Sequence, residues 1–177
     1  MVRRVVLGAT LLLALTVSAF PYPAALPVVS FQDQEGRELA LAALRGHVVV
    51  IVYGTRAGLE HHVAWGKRLD GDLRRRGVYR EHDAPRSRAV QILALAQMGG
   101  VPGPFRPLIR RVMRGHVEAG HSLWLDWGDL MSTLFGASDS ASTVVVADRE
   151  GAVRLVVSGE PDGAPYSAVT ELLHRLL

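Results

Sequence analysis

The chain has 177 residues, of which 49% are hydrophobic and 21% charged, a composition typical of a globular protein rather than a disordered one. Its 20 basic residues include Arg3 and Arg4 at the extreme N-terminus, which leaves 18 against 17 acidic residues in the remainder. A balance this close to neutral does not favour nucleic acid as a partner, and the length predicts one domain with a single core.

The chain contains no cysteine. Thiol redox chemistry, thiolate nucleophiles and cysteine-ligated metal sites are therefore excluded for this polypeptide. Disulfides are also excluded, so the hydrophobic core must stabilise the fold without covalent cross-links.

The first 19 residues have the pattern of an export signal. The charged start MVRR precedes an apolar run over residues 5–17, and the small residues that end at Ala19 suit cleavage by a signal peptidase. The alternative is an uncleaved anchor helix, but the apolar run is shorter than the ~20 residues that a spanning helix needs. We expect cleavage after Ala19 and a periplasmic or secreted mature protein, which meets the membrane only transiently through this signal.

The next part of the chain predicts two extended pieces, a buried strand and an amphipathic helix. FQDQEGRELALAAL has a turn at Glu35-Gly36 between two short extended pieces, and then a helical turn. HVVVIVY lacks polar alternation, which predicts a strand buried on both faces. The helix that follows ends at RRRG. Its buried side carries Leu59, Val63, Leu69 and Leu73, with His62 and Gly66 beside them.

The second half predicts strands that alternate with helices. AVQILALAQM follows a polar loop and predicts a second central strand. VPGPFRPLIRRVMRG predicts a proline-started helix. Its apolar side carries Leu108, Ile109, Val112 and Met113. HSLWLDW predicts a short strand, GDLMSTLFG a helical turn, and STVVVADREGAVRLVVSG a hairpin ahead of a final amphipathic helix. This succession predicts an α/β domain with a mixed sheet.

Three of these segments, in this order, resemble the redoxin and peroxiredoxin branch of the thioredoxin-like superfamily. FQDQEGRELALAALRGHVVVIVYGT is similar to the branch's opening segment, SLWLDWGDLMSTLFG to its strand-aspartate-helix segment, and STVVVADREGAV to its late hairpin. A closer resemblance, to the cysteine-poor periplasmic YtfJ-type proteins, rests on GTRAGLEHH, VPGPFRPLIRRVM and SDSASTVVVADREGAV. The resemblance implies one thioredoxin-like domain over residues 26–177, with a central mixed β-sheet flanked by helices.

The chain departs from this family at its redox motif. The two cysteine positions of the motif fall on Ala57 and Glu60, and the position of the family's cis-proline falls on Ser142. Ala57 has no nucleophile, and Glu60 does not replace a thiol. We therefore expect no catalytic residue at this turn, no cofactor, and no redox activity of the isolated chain.

The resemblance leaves a helix N-terminus at this degenerate active-site turn, where backbone N–H groups and the helix dipole favour an anion. Thr55 is the predicted N-cap, and Arg56 adds positive charge beside it. The candidate binding residues are Thr55, Arg56, Ala57, Gly58, Glu60 and Ser142. One interpretation is a pocket for a carboxylate, a phosphate or a partner's extended peptide. The other is an ordinary capped helix start, in which Glu60 itself satisfies the dipole.

Histidine and acidic residues elsewhere give one metal candidate. Residues 60–62 are consecutive, so on a helix they point about 100° apart and do not suit a shared metal ion. His116, Glu118 and His121 lie in a predicted helix-to-strand connection, where a loop could fold them around a zinc ion. A hydrated loop explains these three residues equally well, and we expect no bound metal.

Arginines recur every four residues along the predicted middle helix, at Arg106, Arg110 and Arg114. This face could contact anionic lipid headgroups or an acidic partner. A solvated helix face is the alternative.

Two kinds of function fit the sequence. The first is a non-catalytic binding or accessory module that holds an envelope protein or peptide partner at the degenerate active-site turn. The second is a metal-dependent enzyme that uses His116, Glu118 and His121. The family resemblance adds a variant of the first, an accessory subunit of a peroxiredoxin or thiol-disulfide system in which a separate protein supplies the thiol.

Overall fold

The structure is a computed structural model, and it describes residues 22–55, 58–80, 87–115, 117, 121–137 and 141–177. The predicted export signal therefore lies outside the described residues, as do Arg56, Ala57, His116 and Glu118. Among the helices of the described ranges, none has the length and apolar character that a membrane span needs.

Within the described residues, the domain contains seven strands and four α-helices. The strands are β1 (Ser30–Asp33), β2 (Glu38–Ala40), β3 (Val48–Gly54), β4 (Val90–Gln97), β5 (Leu123–Asp126), β6 (Ser142–Ala147) and β7 (Val153–Gly159). The helices are α1 (Leu59–Arg75), α2 (Arg106–Arg114), α3 (Leu130–Phe135) and α4 (Gly163–Leu176), with 3-10 turns at Leu41–Leu44 and Gly103–Phe105. This order matches the predicted succession of strands and helices.

The strands form one mixed sheet in the order β2-β1-β5-β4-β3-β6-β7. β3 pairs in parallel with β4, and β4 with β5, whereas the outer pairs are antiparallel. Every residue of β3 is buried, because β4 and β6 flank it and helices cover both of its faces. The prediction that HVVVIVY is buried on both sides is confirmed.

Side chains of β3 alternate between two cores. Val48, Val50 and Val52 face α1 and α4, where Trp65 and Tyr166 pack with ring centroids 5.6 Å apart. The opposite face of the sheet has its own core, which includes Phe31, Leu41, Ile51, Tyr53, Met131 and Phe135. Trp65 was not among the residues predicted for the buried side of α1, although it is fully buried and its Nε1 donates to the Gly159 carbonyl at 3.0 Å.

The middle helix, α2, differs from its predicted orientation. Met113 is buried and Ile109 packs against a small third core, as the periodicity indicates. Leu108 and Val112, however, are 55% and 45% exposed. The helix is rotated about its axis so that part of its apolar side faces solvent. In this orientation Arg110 donates a hydrogen bond to Gln32, and Arg106 stacks on the Trp127 ring.

Residues 24–26 are hydrogen-bonded to the sheet at the end where β3 starts. The Leu26 N–H donates to the Gly151 carbonyl and the Val153 N–H to the Ala24 carbonyl, both at 2.9 Å. Residues 24–26 are thereby fixed beside the turn between β6 and β7, whereas the turn that follows β3 lies at the other end of that strand.

Candidate functional site

The degenerate active-site turn lies between the end of β3 and the start of α1, as predicted. The Gly58 N–H donates to the Thr55 carbonyl at 3.0 Å, which closes a short turn ahead of the helix. The N-cap of α1 is Gly58, and no side chain caps the helix. The prediction that Thr55 is the N-cap is therefore wrong, because this extra turn delays the start of the helix to Leu59.

Within the described residues, no side chain accepts a capping hydrogen bond at the positive end of α1. Glu60 lies in this first turn and is exposed, so its carboxylate is positioned to interact favourably with the helix dipole. Thr55 and Gly58 are half-buried. The surface of the turn is thus accessible at Glu60 and partly accessible at the residues on either side of Arg56 and Ala57.

His62 lies beneath the turn, and its side chain has no exposed surface. Neither ring nitrogen has a hydrogen-bond partner in the part of the chain that the structure describes. The ring fits because its neighbours are glycines: a Cβ at Gly54 would lie 2.4 Å from Nε2, and a Cβ at Gly58 3.4 Å from it. Desolvation, with a smaller effect of the His61 charge, lowers the pKa of His62 to about 4, so the imidazole is neutral at pH 7.

Ser142 is the first residue of β6 and faces the same side of the sheet as His62. The register pairs Tyr53 with Thr143, which places Ser142 beside Gly54. Strand alternation then puts Ser142 on the face of Val144 and Val146, which pack against α1. Its hydroxyl is buried and, within the described ranges, unbonded.

Two unbonded polar side chains at one place are unusual, because buried polar groups nearly always have a hydrogen-bond partner. A buried hydroxyl or imidazole without one costs roughly 1–3 kcal/mol. His62 and Ser142 are therefore two fully buried side chains beneath the degenerate active-site turn whose hydrogen-bonding capacity is unused within the described ranges. We refer to them as the polar pair. A group that donates to and accepts from these side chains would recover that cost.

A cavity of about 1010 Å³ has His62 in its wall, whereas Ser142 does not line it. Its other walls come from α1, β4, β5 and the β1–β2 hairpin, and include Leu39, Gly66, Ile92 and Trp124. The volume is at the upper end of the ~300–1,000 Å³ typical of ligand sites. About half of the lining residues are polar or charged, so the wall mixes apolar surface with many polar groups.

A polar contact fixes the start of α1 against the far edge of the sheet. His61 Nδ1 lies 2.5 Å from a Glu160 carboxylate oxygen, at the end of β7. Two turns further along α1, Arg68 Nη1 donates to the Pro161 carbonyl at 2.6 Å. These contacts hold the helix N-terminus in position and involve neither member of the polar pair.

The zinc candidate is only partly covered by the structure. His121 is exposed, and its carbonyl accepts a hydrogen bond from Gln34 Nε2 at 3.1 Å, whereas His116 and Glu118 lie outside the described residues. Across the described ranges, no three histidine or acidic side chains lie close enough to share a metal ion. The predicted zinc site remains untested.

Arg106 and Arg110 of α2 contact the domain, whereas Arg111 and Arg114 are exposed. Arg110 Nη1 donates to Gln32 Oε1 at 3.0 Å, and the Arg106 guanidinium lies 5.1 Å from the centroid of the Trp127 ring. Arg114 lies at the border, 3.5 Å from Glu35 and about half exposed.

Sequence reasoning placed the turn between β3 and α1 but did not indicate the polar pair beneath it. The resemblance brought Ser142 and the start of α1 together, and the helical pattern put His62 on the inner side. The role of Gly54 was missed, although a glycine at the end of an otherwise β-branched strand is a signal of close approach by another group.

No family model matches the chain, and no curated protein matches it. Several solved structures are similar to the chain. A thiol-disulfide isomerase from Corynebacterium glutamicum superposes with a TM-score of 0.59 at 18% identity, covering 89% of this chain and 97% of that one. A SCO1/SenC family lipoprotein from Bacillus anthracis gives 0.56 at 16%, covering 86% and 94%. A pneumococcal exposed lipoprotein thioredoxin from Streptococcus pneumoniae gives 0.57 at 14%, covering 84% and 98%.

These likenesses establish the fold. The chain has a thioredoxin-like fold, with a central mixed sheet flanked by helices, and no cysteine at any position. The fold class predicted from the order of segments is thereby confirmed.

Proposed function

We propose that the protein is a non-catalytic thioredoxin-like binding module that holds a peptide or protein partner at the degenerate active-site turn. The observation that carries the proposal is the polar pair of His62 and Ser142, which is fully buried beneath the start of α1 and has no hydrogen-bond partner in the described ranges. A partner's backbone amide, which both donates and accepts, matches a neutral imidazole and a hydroxyl. Because neither side chain has exposed surface, the partner reaches the pair only by displacing the turn above it.

The chemistry of the site favours binding over catalysis. A thiol-disulfide isomerase is among the similar solved structures, and thiol exchange requires a thiolate. This chain has none. A buried imidazole with a pKa near 4 is also a poor general base at neutral pH. The site consists of a helix N-terminus without a side-chain cap in the described residues, the polar pair beneath it, and a cavity lined in part by His62.

We also propose an envelope location and a relationship to the cysteine-poor periplasmic YtfJ-type proteins. The export-signal pattern of residues 1–19 supports the location, as do the two lipoproteins among the similar structures. The stretch GTRAGLEHH at the degenerate active-site turn supports the relationship.

Site-specific photo-cross-linking tests the proposed binding. A photoreactive side chain at Glu60, in the exposed first turn of α1, should capture one defined partner from the envelope fraction. The matched control carries the same probe at Glu150, an exposed glutamate in the turn between β6 and β7 at the opposite end of β3. Equal capture from both positions would contradict the proposal.

The variant Ser142→Ala separates binding from stability. Removing an unbonded buried hydroxyl should leave the free energy of unfolding unchanged or raise it by about 1 kcal/mol. If the hydroxyl bonds the partner, the same variant should reduce capture from Glu60. A stable variant with full capture would show that Ser142 takes no part in binding.

A further inference from the structure

α2 and the turn before it present an apolar stripe to solvent. Six large hydrophobic residues are exposed in the described ranges, and three of them are Phe105, Leu108 and Val112, at 57%, 55% and 45% exposure. Their spacings of three and four residues place them on one side of the helix. We refer to these three residues as the α2 stripe.

The rest of the helix holds the stripe in this orientation. Met113 is buried, and Ile109 packs with it against the core beneath β4 and β5. On the same side, Arg110 bonds Gln32 and Arg106 stacks on Trp127. Rolling α2 to bury the stripe would break these contacts and expose Met113, so the apolar surface is a fixed feature of the fold.

In the sequence on either side of the stripe, the charged residues are arginines. Residues 99–117 include four arginines and no aspartate or glutamate. Arg111 is exposed and follows Leu108 by three residues, so it borders the stripe. Arg114 lies beyond it, about half exposed, with only a 3.5 Å contact to Glu35.

We propose that the α2 stripe docks on an anionic phospholipid surface. Phe105 and Leu108 insert among the upper acyl chains, while Arg111 contacts headgroup phosphates. An amphipathic helix that lies in the interface gains affinity from buried apolar area and from attraction of its cations to anionic lipid, at about 1 kcal/mol for each arginine near the surface.

Charge complementarity favours lipid over a second copy of the chain. A symmetric dimer through the stripe would bring the Arg111 side chains of two protomers towards one another. Residues 99–117 supply no acidic side chain to offset that repulsion. An anionic membrane provides the opposite charge along the whole border.

Vesicle flotation of the exported full chain tests this inference. The protein should float with vesicles of equal parts phosphatidylglycerol and phosphatidylcholine, and added salt should weaken the binding. Phosphatidylcholine vesicles should bind it at least tenfold less. The double variant Phe105→Gln, Leu108→Gln should lose about tenfold in affinity, and Arg111→Gln about fivefold.

Two control variants change exposed residues of the same chemical class outside the stripe. Val28→Gln changes an exposed apolar residue outside the stripe, and Arg149→Gln an exposed arginine in the β6–β7 turn. Both should bind like the unmodified chain, and all variants should keep its thermal midpoint. Equal losses in the controls would overturn the inference, as would binding that ignores lipid charge.

A second copy or an acidic protein as the true occupant would also be detected. Sedimentation at increasing concentration that reveals a dimer abolished by Leu108→Gln would overturn lipid docking. Phosphatidylglycerol vesicles that fail to bind the unmodified chain at low salt would do the same. Cross-linking from Glu60 is independent of α2, so the two proposals succeed or fail separately.

Discussion

The imidazole of His62 occupies space that exists only because residue 54 is glycine, since a Cβ there would lie 2.4 Å from Nε2. The sequence places His62 correctly on the inner side of its helix. It does not indicate that both ring nitrogens lack partners in the described ranges, because hydrogen bonding depends on which groups from β3 and β6 arrive beside the ring. That arrangement is set by tertiary contacts rather than by local pattern.

Acid should destabilise the protein through His62. Its pKa is about 4 in the folded state and 6.5 in the unfolded state, so between these values the unfolded chain binds more protons. This contribution to stability is complete above pH 6.5 and is lost as the pH falls towards 4, by about 3 kcal/mol in total. Urea unfolding at pH 7 and pH 4.5 measures the loss.

The variant His62→Leu should flatten this part of the pH profile, whatever it does to stability at pH 7. His174→Gln is the control, because His174 is exposed on α4. A profile that keeps its slope between pH 6.5 and 4.5 in His62→Leu would assign the acid sensitivity to other groups.

At the scale of the element, periodicity identified strands and helices more reliably than it oriented them. β3 is recognisable because a run of β-branched residues without polar alternation has few alternatives to a buried strand. On α2, Leu108, Ile109, Val112 and Met113 span an arc of about 140° at 100° per residue, so the helix can bury Ile109 and Met113 while Leu108 and Val112 stay exposed. The contact of Arg110 with Gln32, 78 residues away in the chain, favours that orientation over burial of all four.

Truncations on α2 test its orientation. Met113→Ala should lower the free energy of unfolding by about 2–5 kcal/mol, because it leaves a cavity under the helix. Leu108→Ala should cost less than about 0.5 kcal/mol, apart from a small gain in helix propensity, since the side chain is 55% exposed. Chemical denaturation of both variants makes the comparison, and equal losses would mean that the helix is rolled differently.

For the whole molecule, the fold class followed from the order of segments and their resemblance to redoxins. The strand order β2-β1-β5-β4-β3-β6-β7 did not follow from periodicity, because it depends on which distant strands pair. The sequence predicts the turn between β3 and α1, whereas its predicted N-cap, Thr55, is wrong. The position of Ser142 beside Gly54 follows only from the pairing of β3 with β6.

The two cores should unfold together. Both depend on β3, whose alternate residues Val50 and Ile51 face opposite sides of the sheet. Trp65→Ala on one side and Phe135→Ala on the other should each cost about 3–5 kcal/mol. We expect each to shift one common transition in circular dichroism and fluorescence. Separate transitions for the two probes would mean that the cores are independent.

The hydrogen bonds that fix residues 24–26 beside Gly151 have a practical consequence for studying the molecule. β3 spans seven residues, or roughly 20 Å, between that end of the sheet and the degenerate active-site turn. A biotin or a sensor-chip linkage introduced ahead of residue 22 would therefore leave the degenerate active-site turn facing free solution. Immobilised in this way, the domain can be screened against peptide libraries with that turn unobstructed.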